Sequence, residues 1–236
     1  MRNLGNIENH ILYGEPTGRI IAIGDIHGCL HTLKALVGKL NIDAKNDTIV
    51  FLGDYIDRGL HSCETVKYVR EFQRSLPNVV CLRGNHEEFM VENNCSYSRL
   101  WDRNGGCMTI GSYENNGVDP HSDVLWMDQL PLVYVTQENI FCHAGLAWPD
   151  LLQNDPEEVL WDRDWISYNS DIEREKPVVF GHTPDLSGTR VIQNGDLCLD
   201  GGCVFGGKLC AAIIHGDDIA IIEEEIHEED RGPWAN

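Results

Sequence analysis

Positive charge is scarce in this chain of 236 residues. Lys and Arg together number 18 against 38 Asp and Glu, which gives a formal net charge of −20. Such an acidic chain repels the phosphates of nucleic acids and the head groups of anionic membranes. We therefore expect no nucleic-acid partner and no membrane partner, and a phosphorylated ligand would need a local positive site.

Long apolar runs and cysteine pairs are also missing. No segment approaches the run of about 18 apolar residues that a membrane-spanning helix needs. The first residues, MRNLGNIENHILYGEPTG, lack the continuous apolar stretch of a signal peptide. The nine cysteines form no C-x-x-C pair, and several lie in apolar runs, where cysteine behaves as a small core residue. An odd count without framework spacing predicts reduced thiols and a cytoplasmic protein.

Linkers, internal repeats and low-complexity tracts are absent as well. We therefore predict a single domain over residues 1–236, and we expect a monomer. A chain of this length can bury a core that needs no disulfide or structural metal to be stable. Residues 1–18 are a polar lead-in. Residues 92–130 contain no motif and are where we place substrate specificity; their first part, 92–120, is predicted to be irregular. Residues 225–236 form an acidic tail that we expect to be solvated and frayed.

Five apolar runs, by contrast, each end in a residue type that binds metals. The runs are IIAIGDIHG (20–28), TIVFLGDYIDRG (48–59), VVCLRGNHE (79–87), NIFCHAG (139–145) and PVVFGHT (177–183). The residues at their ends are Asp25, His27, Asp54, Asn85, His143 and His182. Apolar residues followed by a small residue and then a polar one predict a strand and a tight turn.

The spacing of the first three runs predicts βαβ units. Asp54 follows Asp25 by 29 residues, and Asn85 follows Asp54 by 31. This length allows a helix between parallel strands, and segments 29–40 and 61–76 carry apolar residues at helical spacing. Ligands bind beyond the carboxyl ends of such strands, so these distant residues should meet. A short helix is predicted at 123–131, and the strand-rich part after residue 177 favours antiparallel pairing.

Together the six residues indicate a site for two divalent metals. Asp25 and His27 share one turn, and the carboxylate of Asp54, on the next turn, can bridge two cations. The remaining three residues would complete the second site. Two adjacent metals can activate a water and hold a phosphoryl group. A turn-capping role is the simpler interpretation of any one of these residues, but six together favour metal binding.

A second layer of residues suits phosphate chemistry. Arg58 and Arg83 lie on the same turns as two of the ligands, and a guanidinium fork matches phosphate; a local ion pair is the alternative for each. His86 follows a ligand directly and is not needed as one. Paired with Asp57, it would have a fixed tautomer and could donate a proton. Glu87 is interpreted as structural support.

The segments GDIHG, GDYIDRG, RGNHE, CHAG and FGHT resemble the signature of the phosphoprotein phosphatase branch of the metallophosphoesterases, over about residues 19–215. The segments WDRNGG (101–106) and LWDRDWIS (160–167) are most similar to small phage and bacterial members. The resemblance implies an α/β fold, a calcineurin-like sandwich of two mixed β-sheets flanked by helices. One departure is Gly201, where similar enzymes often have Thr, and it leaves any role of Asp200 open.

The resemblance also implies a role for each candidate residue. One metal is held by Asp25, His27 and Asp54, the other by Asp54, Asn85, His143 and His182; phosphate is bound by Arg58, Arg83 and Arg163; and His86 with Asp57 is the general acid. The implied metals are two divalent ions, with manganese favoured and iron or zinc as alternatives. His31, His61, His121 and His215 match no motif, and we expect no site there.

The implied activity is hydrolysis of phosphoserine and phosphothreonine in proteins by direct attack of a hydroxide that bridges the metals. Substrates would be phosphoproteins or small phosphoesters. One alternative is a symmetrical diadenosine tetraphosphate hydrolase, but similar dinucleotide hydrolases often have Ala in place of Asp57 and GNHD in place of GNHE. Another is a non-catalytic scaffold, which the complete ligand set argues against.

Overall fold

The computed structural model describes residues 2–94, 98–163, 173–192 and 195–235. The strands in these ranges are β1 (Ile11–Tyr13), β2 (Ile20–Ile23), β3 (Thr48–Phe51), β4 (Val79–Cys81), β5 (Val133–Val135), β6 (Ile140–Cys142), β7 (Val178–Phe180), β8 (Arg190–Val191), β9 (Leu197–Cys198), β10 (Lys208–His215) and β11 (Asp218–Glu225). The α-helices are α1 (Leu30–Lys39), α2 (Ser62–Ser75), α3 (Asn85–Asn93), α4 (Arg99–Arg103), α5 (Gly106–Asn115), α6 (His121–Asp128) and α7 (Pro156–Trp161).

A five-stranded mixed sheet, in the order β11-β10-β2-β3-β4, carries the first three ligand runs. Strands β2, β3 and β4 are parallel, as the βαβ spacing predicts, whereas β10 and β11 are antiparallel to their neighbours. The register aligns Ile23 with Phe51 and Phe51 with Cys81. The turns after the three strands therefore leave the sheet side by side.

A six-stranded mixed sheet, in the order β1-β5-β6-β7-β9-β8, carries the other two runs. Strands β6 and β7 are parallel, and Phe141 pairs with Val179. Among the late strands, β8 and β9 pair in the predicted antiparallel sense, but β7 and β9 are parallel. The five runs thus come from two sheets rather than from one continuous edge.

The two sheets pack face to face. Ile20 and Ala22 of β2 belong to one buried cluster with Phe141 and Val179 of the other sheet, while Ile21 faces the helices on the outer side. A strand buried on both faces needs apolar residues at every position, which explains the uninterrupted IIAI run. The structure therefore has the predicted α/β architecture of two mixed sheets with helices outside.

The segment 92–120 differs from the prediction, since helices α4 and α5 occupy much of it. Its few apolar side chains do not repeat at helical spacing along the whole segment, and two aromatic residues, Trp101 and Tyr113, supply the buried contacts instead. The lead-in also carries more structure than predicted, because β1 pairs with β5 in parallel.

The acidic tail is also more ordered than predicted. Strand β11 continues to Glu225, and Asp230 is fully buried. Its carboxylate accepts hydrogen bonds from the backbone N–H groups of His31 and Thr32, at 3.2 and 2.7 Å, and from the Thr32 hydroxyl at 2.7 Å. Helix α1 has no side-chain cap from its own N-cap residue, so a carboxylate from the tail satisfies its first donors.

The cysteines and the helices bear on two expectations drawn from the composition, reduced thiols and the lack of a membrane-spanning helix. The eight cysteines in the described ranges are all unpaired, and seven of them are buried. Within those same ranges, no helix combines the length and the apolar character that crossing a membrane would take.

Candidate active site

The turns that carry the predicted ligands have unusual backbone conformations. His27, Asp54, Asp57, Arg58 and His182 all have φ between 46° and 72°. Non-glycine residues rarely adopt this left-handed region, and where they do, the surrounding structure must enforce it. Five such residues on neighbouring turns indicate that these side chains are held in place at some energetic cost.

Asp54 lies at the centre of the site. Its Oδ2 is 3.3 Å from Nε2 of His27, and its Oδ1 is 3.4 Å from Nε2 of His143. The backbone of this turn is fixed by Glu87, whose carboxylate accepts hydrogen bonds from the N–H groups of Asp54 and Tyr55, each at 2.8 Å. The two oxygens of Asp54 therefore face two separate histidines, as a bridging carboxylate requires.

The histidine tautomers suit metal binding. His27 donates from Nδ1 to the Ile56 carbonyl at 2.7 Å, and His143 donates from Nδ1 to the Leu52 carbonyl at 3.0 Å. Because each Nδ1 carries the proton, each Nε2 presents its lone pair to the site. His182 faces the opposite way, with Nε2 3.2 Å from the Trp161 carbonyl and Nδ1 towards the cluster.

Three potential ligand atoms meet at one point. Oδ1 of Asn85 lies 2.9 Å from Nε2 of His143 and 2.9 Å from Nδ1 of His182, and these two nitrogens are 3.2 Å apart. In the tautomers described, all three atoms offer lone pairs, which repel one another unless a cation lies between them. The arrangement fits one metal of a dinuclear centre.

Asp25 and Asp200 add negative charge beside this cluster. Oδ2 of Asp25 accepts the His182 N–H at 2.9 Å, whereas its Oδ1 has no hydrogen-bond donor in the described part of the chain. Burial, and then the charge of Asp200, raise the pKa of Asp25 well above its ordinary value. Burial and the charge of Asp54 likewise raise the pKa of Asp200 to about 6. Buried carboxylates so close together need positive charge.

Within this site, two groups have all their ligand atoms within 4.8 Å of one another: His27, Asp54 and His86, and Asp54, His143 and His182. Asp54 belongs to both groups. Oxygen and imidazole donors of this kind suit manganese, iron and zinc. The residues present therefore fit the two predicted metals, with Asp25 and Asn85 beside the closely spaced atoms.

The predicted acid pair is assembled. Nδ1 of His86 lies 2.6 Å from Oδ2 of Asp57, and both side chains are buried. Nε2 of His86 is then the nitrogen that faces the centre, 3.9 Å from Oδ2 of Asp54. Asp57 thus orients the imidazole of His86 towards the ligand cluster around Asp54.

Two further side chains position Asp57. Trp101 donates from Nε1 to Oδ2 at 2.8 Å, and the Thr109 hydroxyl donates to Oδ1 at 2.5 Å. Neither role follows from the sequence alone, although Trp101 opens the WDRNGG segment that carries part of the family resemblance. Both residues lie in 92–120, so a segment predicted to be irregular supports the acid pair.

Arg58 is available to an anion at the edge of the centre. Its Nη1 is 2.6 Å from Nε2 of His27, and its Nε has no acceptor among the described residues. The guanidinium lies over two aromatic rings, 5.2 Å from the centroid of Phe205 and 5.9 Å from that of Trp234. Cation–π contacts of this kind hold a guanidinium without using its donors. Trp234 comes from the tail, and its role was not predicted.

Arg163 lies on the other side of the centre. Its Nε is 3.2 Å from Nε2 of His182, and its Nη2 is 3.3 Å from the His182 carbonyl oxygen. The side chain is exposed, so its guanidinium can approach a bound phosphate. The continuation of its motif, residues 164–167, lies outside the described residues.

Comparisons with known proteins agree with this geometry. Residues 18–222 match the family described as calcineurin-like phosphoesterase. The chain belongs to this family. Together with the cluster of ligand atoms, the match makes it a metal-dependent phosphoesterase, and the predicted resemblance to phosphoprotein phosphatases is confirmed.

The phosphoesterase has relatives with two kinds of substrate in their names. It is 28% identical over 208 residues to serine/threonine-protein phosphatase 1 of Salmonella typhimurium strain LT2. The aligned region covers 81% of this chain and 90% of that protein. It is 30% identical over 231 residues to the asymmetrical bis(5'-nucleosyl)-tetraphosphatase PrpE of Oceanobacillus iheyensis. This alignment covers 82% of this chain and 87% of that protein. A solved structure of a protein considered to be a diadenosine tetraphosphatase matches with a TM-score of 0.69 at 22% identity, covering 91% of this chain and 97% of that one.

In this phosphoesterase, Arg83 is the predicted site residue whose placement disagrees with its predicted role. It is 2% exposed, and its Nη1 donates to Oε2 of Glu88 at 2.8 Å. Its Nη2 donates to the backbone carbonyls of Asp128 and Leu130. A guanidinium engaged in this way points into the protein, so the structure argues against phosphate binding by Arg83 and favours the alternative, a local ion pair.

Proposed function

We propose that this phosphoesterase hydrolyses phosphoserine and phosphothreonine in proteins, as a two-metal phosphomonoesterase. The observation that carries the proposal is the acid pair. Asp57 is fully buried, and His86, Trp101 and Thr109 all contact its carboxylate at 2.8 Å or less. So much structure devoted to one proton donor is explained best by a leaving group that needs a proton.

The chemistry of the leaving group separates the substrate classes. In a phosphoserine, water attacks phosphorus, the bond from phosphorus to the serine oxygen breaks, and that oxygen would depart as a strongly basic alkoxide. A proton from Nε2 of His86 makes it an alcohol instead. A nucleotide leaves as a weakly basic phosphate and needs no such acid.

Positive groups around the centre support binding of a phosphate monoester. Arg58 and Arg163 flank it, beside His27 and His182 respectively. Bound at the ligand cluster, two divalent metals would supply an activated water and an electrostatic clamp on the phosphoryl group. In a chain with a net charge of −20, these local charges are what allows an anionic substrate to approach.

A second candidate is hydrolysis of dinucleoside tetraphosphates. The specific observation in its favour is the likeness to the tetraphosphatase of Oceanobacillus iheyensis, which at 30% identity is as strong as the likeness to the protein phosphatase. The acid pair would have no use in that reaction, because a nucleotide leaves as a weakly basic phosphate.

The test is a substrate panel with manganese added to the 236-residue chain. It contains a phosphoserine peptide, a nitrophenyl phosphate and diadenosine tetraphosphate, each measured with wild type and with His86→Asn. General acid catalysis contributes about 10²–10⁴-fold, so His86→Asn should slow the phosphopeptide by about that factor. The nitrophenyl ester should be slowed less, because its phenolate departs readily.

The control variant is His121→Asn. His121 is exposed, and its carboxylate partner is Asp119 rather than a residue of the acid pair. It should behave as wild type on all three substrates. Equal slowing of all substrates by His86→Asn would mean that His86 positions the substrate rather than protonating the leaving group. Faster wild-type turnover of the dinucleotide than of the phosphopeptide would replace our proposal with the second candidate.

A further inference from the structure

A second group of histidines lies away from the dinuclear centre, where the tail meets the first two helices. His31 lies in the first turn of α1, His61 directly precedes α2, and His227 and Glu229 belong to the tail after β11. The ring centroids of His31 and His61 are 5.1 Å apart, and those of His31 and His227 are 5.7 Å apart. Three imidazoles from separate parts of the chain therefore meet at one surface position.

Carboxylates complete the group. Nδ1 of His31 lies 2.6 Å from Oε2 of Glu229. The ligand atoms of His31, His227 and Glu229 lie within 4.8 Å of one another, and so do those of His31, His61 and Asp230. His31 is common to both sets.

The backbone around the group is held by Asp230 and Thr32 and by two imidazole contacts, one of which joins Nε2 of His61 to the Glu229 carbonyl oxygen at 3.2 Å. Asp230 caps α1, and the Thr32 hydroxyl accepts the His227 N–H at 2.9 Å. Nδ1 of His227 faces the Glu229 N–H at 3.5 Å, which leaves its Nε2 free to bind another group. The tail is thus positioned before any ligand arrives, so little conformational entropy is lost on binding.

We propose that His31, His227 and Glu229 bind one divalent transition-metal ion of the zinc class, separate from the two metals of the active site. Two imidazoles and one carboxylate are a donor set that zinc accepts, with a further position open to water or to His61. Ligand atoms within 4.8 Å must approach by about an ångström or more to share an ion at about 2.0–2.2 Å, and these partly exposed side chains can rotate to do so.

Such an ion would fasten the tail to α1. Trp234, four residues after Asp230, is one of the two rings over Arg58, so the metal would also restrict the segment that positions this guanidinium. The competing interpretation is a plain surface ion pair between His31 and Glu229, which stabilises very little and binds no metal.

The experiment is equilibrium dialysis of the 236-residue chain against buffered micromolar Zn²⁺, followed by counting bound zinc per chain. The variants are His31→Ala, His227→Ala and Glu229→Gln, with His121→Ala as a matched control for an exposed histidine beside a carboxylate. Each of the three variants should bind one equivalent less than wild type, and the control should bind as much as wild type. The difference between chains is independent of how many ions the active site holds.

A second measurement locates the ion. Paramagnetic Ni²⁺ should broaden the imidazole NMR signals of His31 and His227 in wild type but leave those of His121 sharp. Unchanged zinc counts in all three variants would overturn the proposal. A loss in His31→Ala with normal counts in His227→Ala and Glu229→Gln would overturn the ligand set, because the ion would then not involve the tail side chains proposed here.

Discussion

The turns after β3 and β4 have the same plan and different outcomes. Each follows a parallel strand, each carries a ligand, and each carries an arginine close to that ligand: Asp54 with Arg58, and Asn85 with Arg83. Yet Arg58 lies over two aromatic rings beside His27, whereas Arg83 is buried against Glu88 and backbone carbonyls. Position in a motif therefore does not decide whether an arginine is available to a substrate.

The difference comes from residues distant in sequence. Arg58 is held by Phe205 and Trp234, about 150 or more residues along the chain, through ring contacts that use none of its N–H donors. Arg83 meets carbonyls that precede β5 and a glutamate on α3. A guanidinium at the edge of the site can recognise phosphate, while one whose Nη1 and Nη2 are both engaged inside the protein contributes to stability.

The largest expected effect is on kcat/KM, and it distinguishes the candidate metal ligands Asp54 and Asn85. Asp54 faces histidines of both metal groups, whereas Asn85 faces only His143 and His182. Asp54→Asn should remove a charge shared by two metals, which is worth several kcal/mol, so kcat/KM should fall on the order of 10³–10⁴-fold. Asn85→Ala should cost less. Steady-state kinetics with metal counts would show this, and equal losses in the two variants would contradict the bridging role of Asp54.

A variant of Arg83 tests whether its guanidinium contributes to stability rather than to phosphate binding. Arg83→Met removes one of the two arginines that pair with the buried Glu88, so the free energy of unfolding should fall by about 3 kcal/mol, the low end for breaking a buried pair. Arg2 still pairs with Glu88 at 2.5 Å, which limits the loss. Urea denaturation measures the change, and KM for a phosphopeptide should stay near that of wild type.

A matched double variant sharpens this result. Arg83→Met with Glu88→Met removes both charges, so it should recover part of the stability lost in Arg83→Met alone. A large rise in KM with unchanged stability would instead restore Arg83 as a phosphate ligand.

Arg58 should respond in the opposite way. Arg58→Ala removes a charge-assisted donor from an anion, worth about 1.5–3 kcal/mol, so inhibition by inorganic phosphate should weaken by about 10–100-fold. The melting temperature should change little, because cation–π contacts at the edge of the site are weak. Arg58→Lys keeps the charge without the planar fork and should be intermediate. Phosphate inhibition at wild-type strength in Arg58→Ala would end the comparison between the two arginines.

These contrasts also mark what the sequence can reveal. The strands and their ligands could be predicted because apolar runs ending in turns are local patterns, and β2, β3 and β4 have the predicted parallel order. The partners of Arg83 could not, because they depend on where α6 ends relative to β4. Asp230 caps α1 from nearly 200 residues away, so nothing near the tail indicates that it is ordered. The single-domain, monomeric and cytoplasmic assignments stay predictions.

The smallest expected effect concerns the segment that was predicted to be irregular. Trp101→Phe keeps the buried ring but removes the Nε1 donor to Asp57, while Thr109 and His86 still hold that carboxylate. Losing one hydrogen bond to a charged group, at the low end of its usual worth, should lower kcat for a phosphoserine peptide about tenfold.

The same variant should slow a nitrophenyl phosphate less and leave KM unchanged, because Trp101 acts only through the acid. Trp126→Phe is the matched control, since Trp126 donates from Nε1 to Gln73 at 3.1 Å and does not contact the acid pair. If both tryptophan variants slowed both substrates alike, the effect would come from packing. A loss confined to Trp101→Phe and to the alkyl ester would show that α4 contributes to catalysis through Asp57, and would explain why α4 and α5 lie beside this carboxylate.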